Sequence, residues 1–426
     1  MFKKNFYFFI FLFFSYHLLA ENIPKVTVGI DVLLNDESYF SLLKGKRIGV
    51  ITNHTAVNSK LEKTLTLLKR YAKKKDFTIT TIFAPEHGIN GAAHREDQLF
   101  DDIDPDGIPI YCLYGKNWRP SKAMLERLDI LLYDIQDIGT RSYTYITTLF
   151  YIMEEAAKYK IPIIVLDRPN PINGVMIDGP ILEEKWRSAV GYINVPFCHG
   201  MTVGELANFF NEEYGVGCSL KVIPMKGWRR EMSFFDTGLA WIPTSPQIPE
   251  ASSALYYPMT GLIGELKLVN IGVGYTLPFK VVGAPWIDAN EFAKCLNDQN
   301  FPGISFQPFH FRPFYGRYAH QECHGVLLII TDATTYKPVT TQYLLIGILK
   351  SLYPSNFYET IQREKNWKEI FCKVNGTEEV YRILVNEKYV VWKLKELHQT
   401  ERENFAKKRQ KYLIPNYFGE TTEKTG

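Results

Sequence analysis

A doubly wound, mostly parallel α/β domain followed by a second, smaller mixed α/β domain is the fold that this sequence predicts. Three observations predict it. Through the first half, short runs that are apolar almost without a break alternate with stretches of helical spacing, the pattern of a parallel sheet covered on both faces. Four of those runs end in polar, Gly- or Pro-rich text. Around Trp241 to Ala251 the texture changes to IPTSPQIPEA, a Pro-rich crossing with no helical period. The boundary between the domains is placed there, giving residues 24–250 and 251–420.

Taken in order, residues 1–20 carry Lys3 and Lys4, an apolar run from Phe6 to Phe14, and Ala20 ahead of Glu21. This is the order of a secretory signal peptide. The run is shorter than the ~20 residues a spanning helix needs, so the expectation is an exported chain with no membrane span once the signal is removed. RIGVIT (47–52) reads as a strand and Leu61 to Tyr71 as a helix. ITTIFA (79–84) and IPIYCLY (108–114) are strands, Pro120 to Arg127 a helix and DILLYDI (129–135) a strand. Tyr145 to Tyr159 is a helix and PIIVLD (162–167) a strand. The helix from Thr202 to Tyr214 opens with a capping box of Thr202 and Glu205. Beyond the crossing, Val281 to Ala284 and Gly325 to Thr331 are strand-like. Helices are predicted near Thr341 to Leu352 and, strongly charged, near Lys393 to Lys411.

The 426 residues carry a net charge of +3, from 49 Lys and Arg against 46 Asp and Glu. That balance speaks against a nucleic-acid partner. The runs Lys73-Lys74-Lys75 and Lys407-Lys408-Arg409 read as solvated helix faces. The six cysteines form no C-x-x-C pair; Cys112 and Cys218, in apolar company, predict buried thiols and no essential disulfide.

Ligands of open α/β sheets bind beyond the carboxyl ends of the strands, so the residues at each strand tip are the ones to weigh. Thr52-Asn53-His54 comes after the first strand, and Pro85-Glu86-His87-Gly88 after the second. DILLYDI leads into Gln136, Asp137, Gly139 and Arg141, and PIIVLD into Arg168, Pro169 and Asn170. Any one of these is an ordinary turn; together they predict a site. Glu86 comes after an apolar strand and Pro85, so partial desolvation is expected, as a general acid requires. Asp134, Asp137 and Asp167 are available as a second carboxylate. Arg141 and Arg168 suggest recognition of an anion, because a guanidinium fork fits a carboxylate; the alternative is that each pairs with a neighbouring Asp. His199, just ahead of the capped helix, could project into the same cleft.

Neither G-x-G-x-x-G after the first strand nor G-x-x-x-x-G-K-[ST] occurs, so nucleotide binding lacks its cradle. His320, Cys323 and His324 in HQECH superficially suggest a metal site, but the H-E-x-x-H order is absent and no metal is expected there. Trp118, Trp186, Trp228, Trp241 and Trp286 could offer stacking surfaces to sugar rings, with packing the more ordinary duty.

The strings GKRIGVITNHTAV, FAPEHGINGAA, LLYDIQDIGTRSYTYI, VLDRPNPINGVMIDGP, HGMTVGELA and GAPWID succeed one another in this order. Together they resemble the exo-β-N-acetylmuramidase (NamZ-like) family. The resemblance implies a Rossmann-like first domain, a smaller second domain and an active site in the cleft between them. It further implies hydrolysis of terminal N-acetylmuramic acid from peptidoglycan fragments, with no cofactor. The glutamate of the family's PEHG motif is here Glu86, and the lactyl carboxylate of muramic acid would give Arg141 and Arg168 a partner. Two segments depart from the family pattern. Ser245-Pro246-Gln247-Ile248-Pro249 stands where the family has SPN-x-P, and GELKLVNIGVGYTLPF stands for a segment from which only Glu265 survives. The second catalytic role is open between Asp134 or Asp137, as base or nucleophile, and the substrate's own 2-acetamido group. Rival readings are a metal-dependent hydrolase using the Asp/His rim and a non-catalytic exported sugar-binding protein.

Overall fold

The computed structural model describes residues 25–94, 97–363 and 367–419; the segment read as a signal peptide lies outside them. The first domain contributes β1 (Arg47–Thr52), β2 (Thr78–Ala84), β3 (Asp102–Ile103), β4 (Pro109–Cys112), β5 (Ile130–Asp134), β6 (Ile163–Leu166), β7 (Asp178–Ile181), β8 (Pro196–Cys198) and β9 (Leu220–Ile223). Seven of these form one sheet in the order β3-β4-β2-β1-β5-β6-β9, while β7 and β8 pair separately. All pairs in the large sheet are parallel except β3 with β4. Every residue of β5 and all but Arg47 of β1 are buried, which is why these strands read as unbroken apolar runs. Helices α1 (Gly29–Asn35), α2 (Thr64–Lys75), α3 (Thr144–Lys158) and α4 (Val203–Glu213) cover the faces. The capping box of α4 forms as predicted: Thr202 Oγ1 accepts from the Glu205 N–H, and Glu205 Oε2 accepts from the Thr202 N–H at 3.0 Å. Strand order reverses between β1 and β5, so the topological switch point lies at Thr52 and Asp134.

The second domain is built from α5 (Ala251–Glu265), β10 (Val281–Ala284), α6 (Ala289–Asn297), β11 (Ile304–Phe311), β12 (Cys323–Ile330) and α7 (Pro338–Leu352). Then come α8 (Pro354–Arg363), α9 (Trp367–Asn375), α10 (Glu379–Asn386), α11 (Val390–Glu396) and α12 (Gln399–Lys408). Its sheet is antiparallel, in the order β10-β12-β11. Three features depart from the sequence reading. Helix α5 forms directly after the Pro-rich crossing and carries Pro258 inside it. Burial of Leu255, Met259, Leu262 and Ile263, at about 1.5–3 kcal/mol each, outweighs the cost of that proline. Strand β11 is hidden from sequence because Pro308 interrupts it; as an edge strand it loses no ladder bond there. The charged helix expected from Lys393 to Lys411 breaks at His398, whose φ of +56° lies in the left-handed region.

The two domains share one core. Ile138, Ile172, Met176, Phe197 and Cys198 of the first pack into the cluster formed by α5, α7 and β12 of the second. Asp178 of β7 caps α7, accepting from the Val339 N–H at 2.9 Å and the Thr340 N–H at 3.2 Å. The chain then returns: Phe405, Tyr412 and Leu413 bury against α4 in the first domain's core. Arg409, expected on a solvated face, is instead buried and donates to the carbonyls of His199 and Gly200 at 2.9 and 2.6 Å. Cys112 and Cys218 are buried thiols. Among the described residues no helix is long and apolar enough to cross a membrane.

Candidate active site

The switch-point crevice is filled by protein. Asp134 is fully buried and holds Arg168 through two bonds, Nε to Oδ1 at 2.5 Å and Nη2 to Oδ2 at 3.0 Å, while Thr64 Oγ1 donates to Oδ2 at 2.6 Å. Arg168 Nη2 also donates to the Val57 carbonyl. The void left beside Gln136 and Arg168 is about 20 Å³, room for one water. Gln136 is spent on the carbonyls of Asp137 and Pro169. Asn53 closes its own turn by accepting from the Thr55 N–H and hydroxyl. Asn170 does likewise with the Ile172 N–H and donates to Met201 O.

Three further candidates also face inward. Asp167 accepts from Tyr417 Oη, Thr202 Oγ1 and the N–H groups of Arg168 and Gly204, and burial raises its carboxyl above the ordinary range. His199 is buried, accepts from the Met201 N–H, and is pushed down to about 3 by burial and by Arg409 and Arg141, so it stays neutral. Arg141 corrects the anion-binding reading. Its Nη1 donates to Pro180 O and Val195 O, both at 2.7 Å, and its Nη2 to Val374 O at 3.1 Å and Asn375 O at 2.7 Å. It caps the C-terminal carbonyls of α9, satisfying groups that a helix end leaves open, and no carboxylate of a ligand reaches it at 2% exposure.

The open cleft lies to one side, at the tips of β2 and β4 and against α5, with a volume of about 650 Å³. That is the size of a small-ligand site. Of the sequence candidates, Glu86, His87 and Glu265 line it. Glu86 is 7% exposed, and the hydroxyl of Thr144, at the first turn of α3, donates to its Oε2. His87 adopts a left-handed φ of +69° that turns the chain back, and its Nδ1 meets Ala93 O at 2.6 Å. Glu265 lines the cleft from the end of α5, with Lys267 Nζ 3.9 Å from its Oε2. Ser142, Tyr143, Tyr114 and Trp118 also line it, the rings of Tyr114 and Trp118 in a T-shaped contact at 4.7 Å. Burial holds the Tyr143 phenol well above its usual range, and its Oη donates to Thr244 Oγ1. Asp137 does not line the cleft. It is near enough to Tyr143 to raise its phenol electrostatically, with Oδ2 on the Gly139 N–H at 2.7 Å and Oδ1 without a partner among the described residues; burial pushes it up to about 7.

Sequence reasoning misses Tyr143, Thr144, Lys267, Asn270, Tyr315 and Arg317, all in the cleft wall. Tyr143 and Thr144 come almost directly after Arg141, so continuing past the strand tip into the next helix finds them. The altered segments are also in the wall. Gln247 donates to Tyr315 Oη at 2.5 Å, and Asn270 donates to Val273 O and Arg317 O.

Comparison with known proteins assigns this architecture. The N-terminal domain of exo-β-N-acetylmuramidase NamZ matches residues 48–252, and the C-terminal domain of the same family matches residues 255–414. The chain belongs to the NamZ exo-β-N-acetylmuramidase family. It is 41% identical over 392 residues to the peptidoglycan β-N-acetylmuramidase NamZ of Bacillus subtilis (strain 168), covering 92% of each chain. Two solved DUF1343 family proteins of Bacteroides fragilis NCTC 9343 share its fold. One superposes with a TM-score of 0.84 at 37% identity, over 92% of this chain and 99% of its own. The other gives 0.72 at 30% identity, over 91% and 98%. As a NamZ family member the chain is a glycosidase.

Proposed function

We propose that this glycosidase is exported and releases terminal β-linked N-acetylmuramic acid from peptidoglycan fragments, with Glu86 as the general acid. The observation that carries the reading is the position of Glu86: a nearly buried carboxyl in the cleft lining, oriented by Thr144, with Tyr143 in the same lining. Cleavage of a glycosidic bond needs a proton for the departing oxygen as an oxocarbenium-like centre develops at C1. Export is supported by the arrangement of residues 1–20. The activity of the Bacillus subtilis relative supports the muramide.

Asp134 and Asp167 are spent on structural bonds and Asp137 does not line the cleft. The second role therefore passes to the substrate's 2-acetamido oxygen, which attacks C1 as Glu86 protonates the leaving group. Water, giving a proton to the Glu86 carboxylate left by the first step, then opens the cyclic intermediate, with net retention of configuration. Glu265, which lines the same cleft from the end of α5, is the alternative: acting as base on a water, it would give inversion. Lys267 and Arg317 line the second-domain wall and are the cations placed to meet the lactyl carboxylate.

The test is to offer the purified protein a chromogenic β-N-acetylmuramide and the matching glucosaminide. Turnover of the muramide is expected, with the first-formed anomer read by NMR. Glu86→Gln should lower kcat by about a hundredfold or more while still binding the product sugar. Turnover of neither substrate, or a Glu86→Gln variant of full activity, would remove the proposal.

A further inference from the structure

Outside the cleft, the structure brings together side chains that the sequence keeps apart. In the antiparallel pair β11–β12, His310 stands directly opposite His324. Their Nδ1 atoms are 2.7 Å apart and their rings meet edge to face at 5.0 Å. Glu322 lies two residues before His324, on the same face of the strand. Ligand atoms of His310, Glu322 and His324 all lie within 4.8 Å of one another. These positions continue the rows Ile304, Phe306 and Leu328, Val326, which bury in the second domain's core. Where the sheet overruns that core, the apolar row becomes imidazole, imidazole and carboxylate. Of His320, Cys323 and His324, weighed from sequence, only His324 takes part, and Glu322 of the same HQECH string joins it. Cys323 points to the other face and is buried with Phe311, and His320 sits in a left-handed turn.

We propose that His310, Glu322 and His324 form a transition-metal site of the zinc class on the second domain. Two imidazoles and a carboxylate are a ligand set suited to that class. Tetrahedral zinc with bonds of about 2.0–2.1 Å places its nitrogens about 3.3 Å apart. The two rings, now sharing a hydrogen bond, need to separate only slightly, and Glu322 closes the third position by rotating an exposed side chain. Its present partner, Arg312 at 4.0 Å, is a surface contact with both side chains mostly exposed, of the kind worth little. Water completes the coordination.

The site stands at the base of the loop 312–322, which joins the two strands and carries Tyr315, Gly316 and Arg317 into the cleft wall. A metal held by residues on both strands staples that base and stiffens the wall. The experiment uses the full mature chain, stripped with a chelator and titrated calorimetrically with zinc chloride, with magnesium chloride as the hard-cation control. One zinc per chain with a Kd tighter than about 100 μM, and no magnesium binding, is expected. His310→Ala and His324→Ala should each weaken zinc binding by about tenfold or more, and Glu322→Gln by less. Hydrogen exchange across 312–322 should slow on adding zinc to the native chain and not to the His324→Ala variant. A Kd weaker than about 100 μM, or an affinity unchanged in the His310→Ala, His324→Ala double variant, overturns the site. Binding without slowed exchange overturns the staple.

Discussion

Asp137 and Lys267 illustrate how single groups act from outside the cleft lining and from within it. Asp137 carries a proton in the folded protein that the unfolded chain gives up. Its ordinary value of 3.8 is raised to about 7, chiefly by burial. Between those values the folded state binds the extra proton, so stability falls as pH rises across that window. Asp137→Asn removes the titration. Its stability relative to the native chain should grow from pH 4 to pH 8 by on the order of 4 kcal/mol, at about 1.4 kcal/mol per pH unit. Denaturant titrations over a pH series check this; a difference that does not vary with pH would show that Asp137 does not titrate. On the open side, Lys267→Met and Arg317→Met should each raise KM for the muramide by about tenfold, the loss of one charge-assisted bond. The same changes should leave KM for the glucosaminide where it was. Equal effects on both sugars would place the lactyl group elsewhere.

At the scale of elements, Arg141 ties three pieces of chain together: the end of β7, the approach to β8 and the last turn of α9. Arg141→Met keeps the aliphatic stem but leaves four buried carbonyls without their donor. The expected loss is about 3 kcal/mol or more, read as a lower Tm, with KM unchanged at temperatures where the variant is folded. An anion-binding arginine would give the reverse, a raised KM at native Tm. This residue also shows what the sequence could and could not disclose. The parallel sheet was legible because burial on both faces writes itself as unbroken apolar runs, and the capping box marked α4 to the residue. The strand tips were legible as a cluster of polar types, but not the direction of each side chain. The acceptors of Arg141 at Val374 and Asn375 lie 233 and 234 residues further along the chain, and no local pattern announces them. Glu86 was legible by position, just past an apolar strand and Pro85, and the PEHG motif of the resemblance marks the same residue. Gly139 is constrained in the same neighbourhood. Its φ is +83°, and a β-carbon there would stand 2.2 Å from Asn170 Oδ1.

For the molecule as a whole, the last described residues belong to the first domain. Tyr417 Oη donates to Asp167 Oδ2 at 2.6 Å and accepts from the Met225 N–H at 2.9 Å, and its ring meets Trp228 edge-on at 4.9 Å. Tyr417→Phe should cost about 1–3 kcal/mol, because Asp167 is left buried with one donor fewer. Ending the chain after Lys408 should cost far more, since Arg409, Tyr412 and Tyr417 go together. Thermal unfolding of both variants checks the order; equal stability of the shortened and native chains would show that the return segment is dispensable.

The apolar cluster that runs unbroken from Ile138 and Phe197 into α5 and α7 acts as a weld at the back of a jaw. Apolar junctions between domains resist relative motion, and a second strap of chain recrosses the gap. Domains joined this way are expected to hold the cleft at a set width, without the clamping stroke of hinge-closing enzymes. Small-angle scattering should give the same radius of gyration with and without saturating sugar, and mutations that tune selectivity will act by carving the cleft itself.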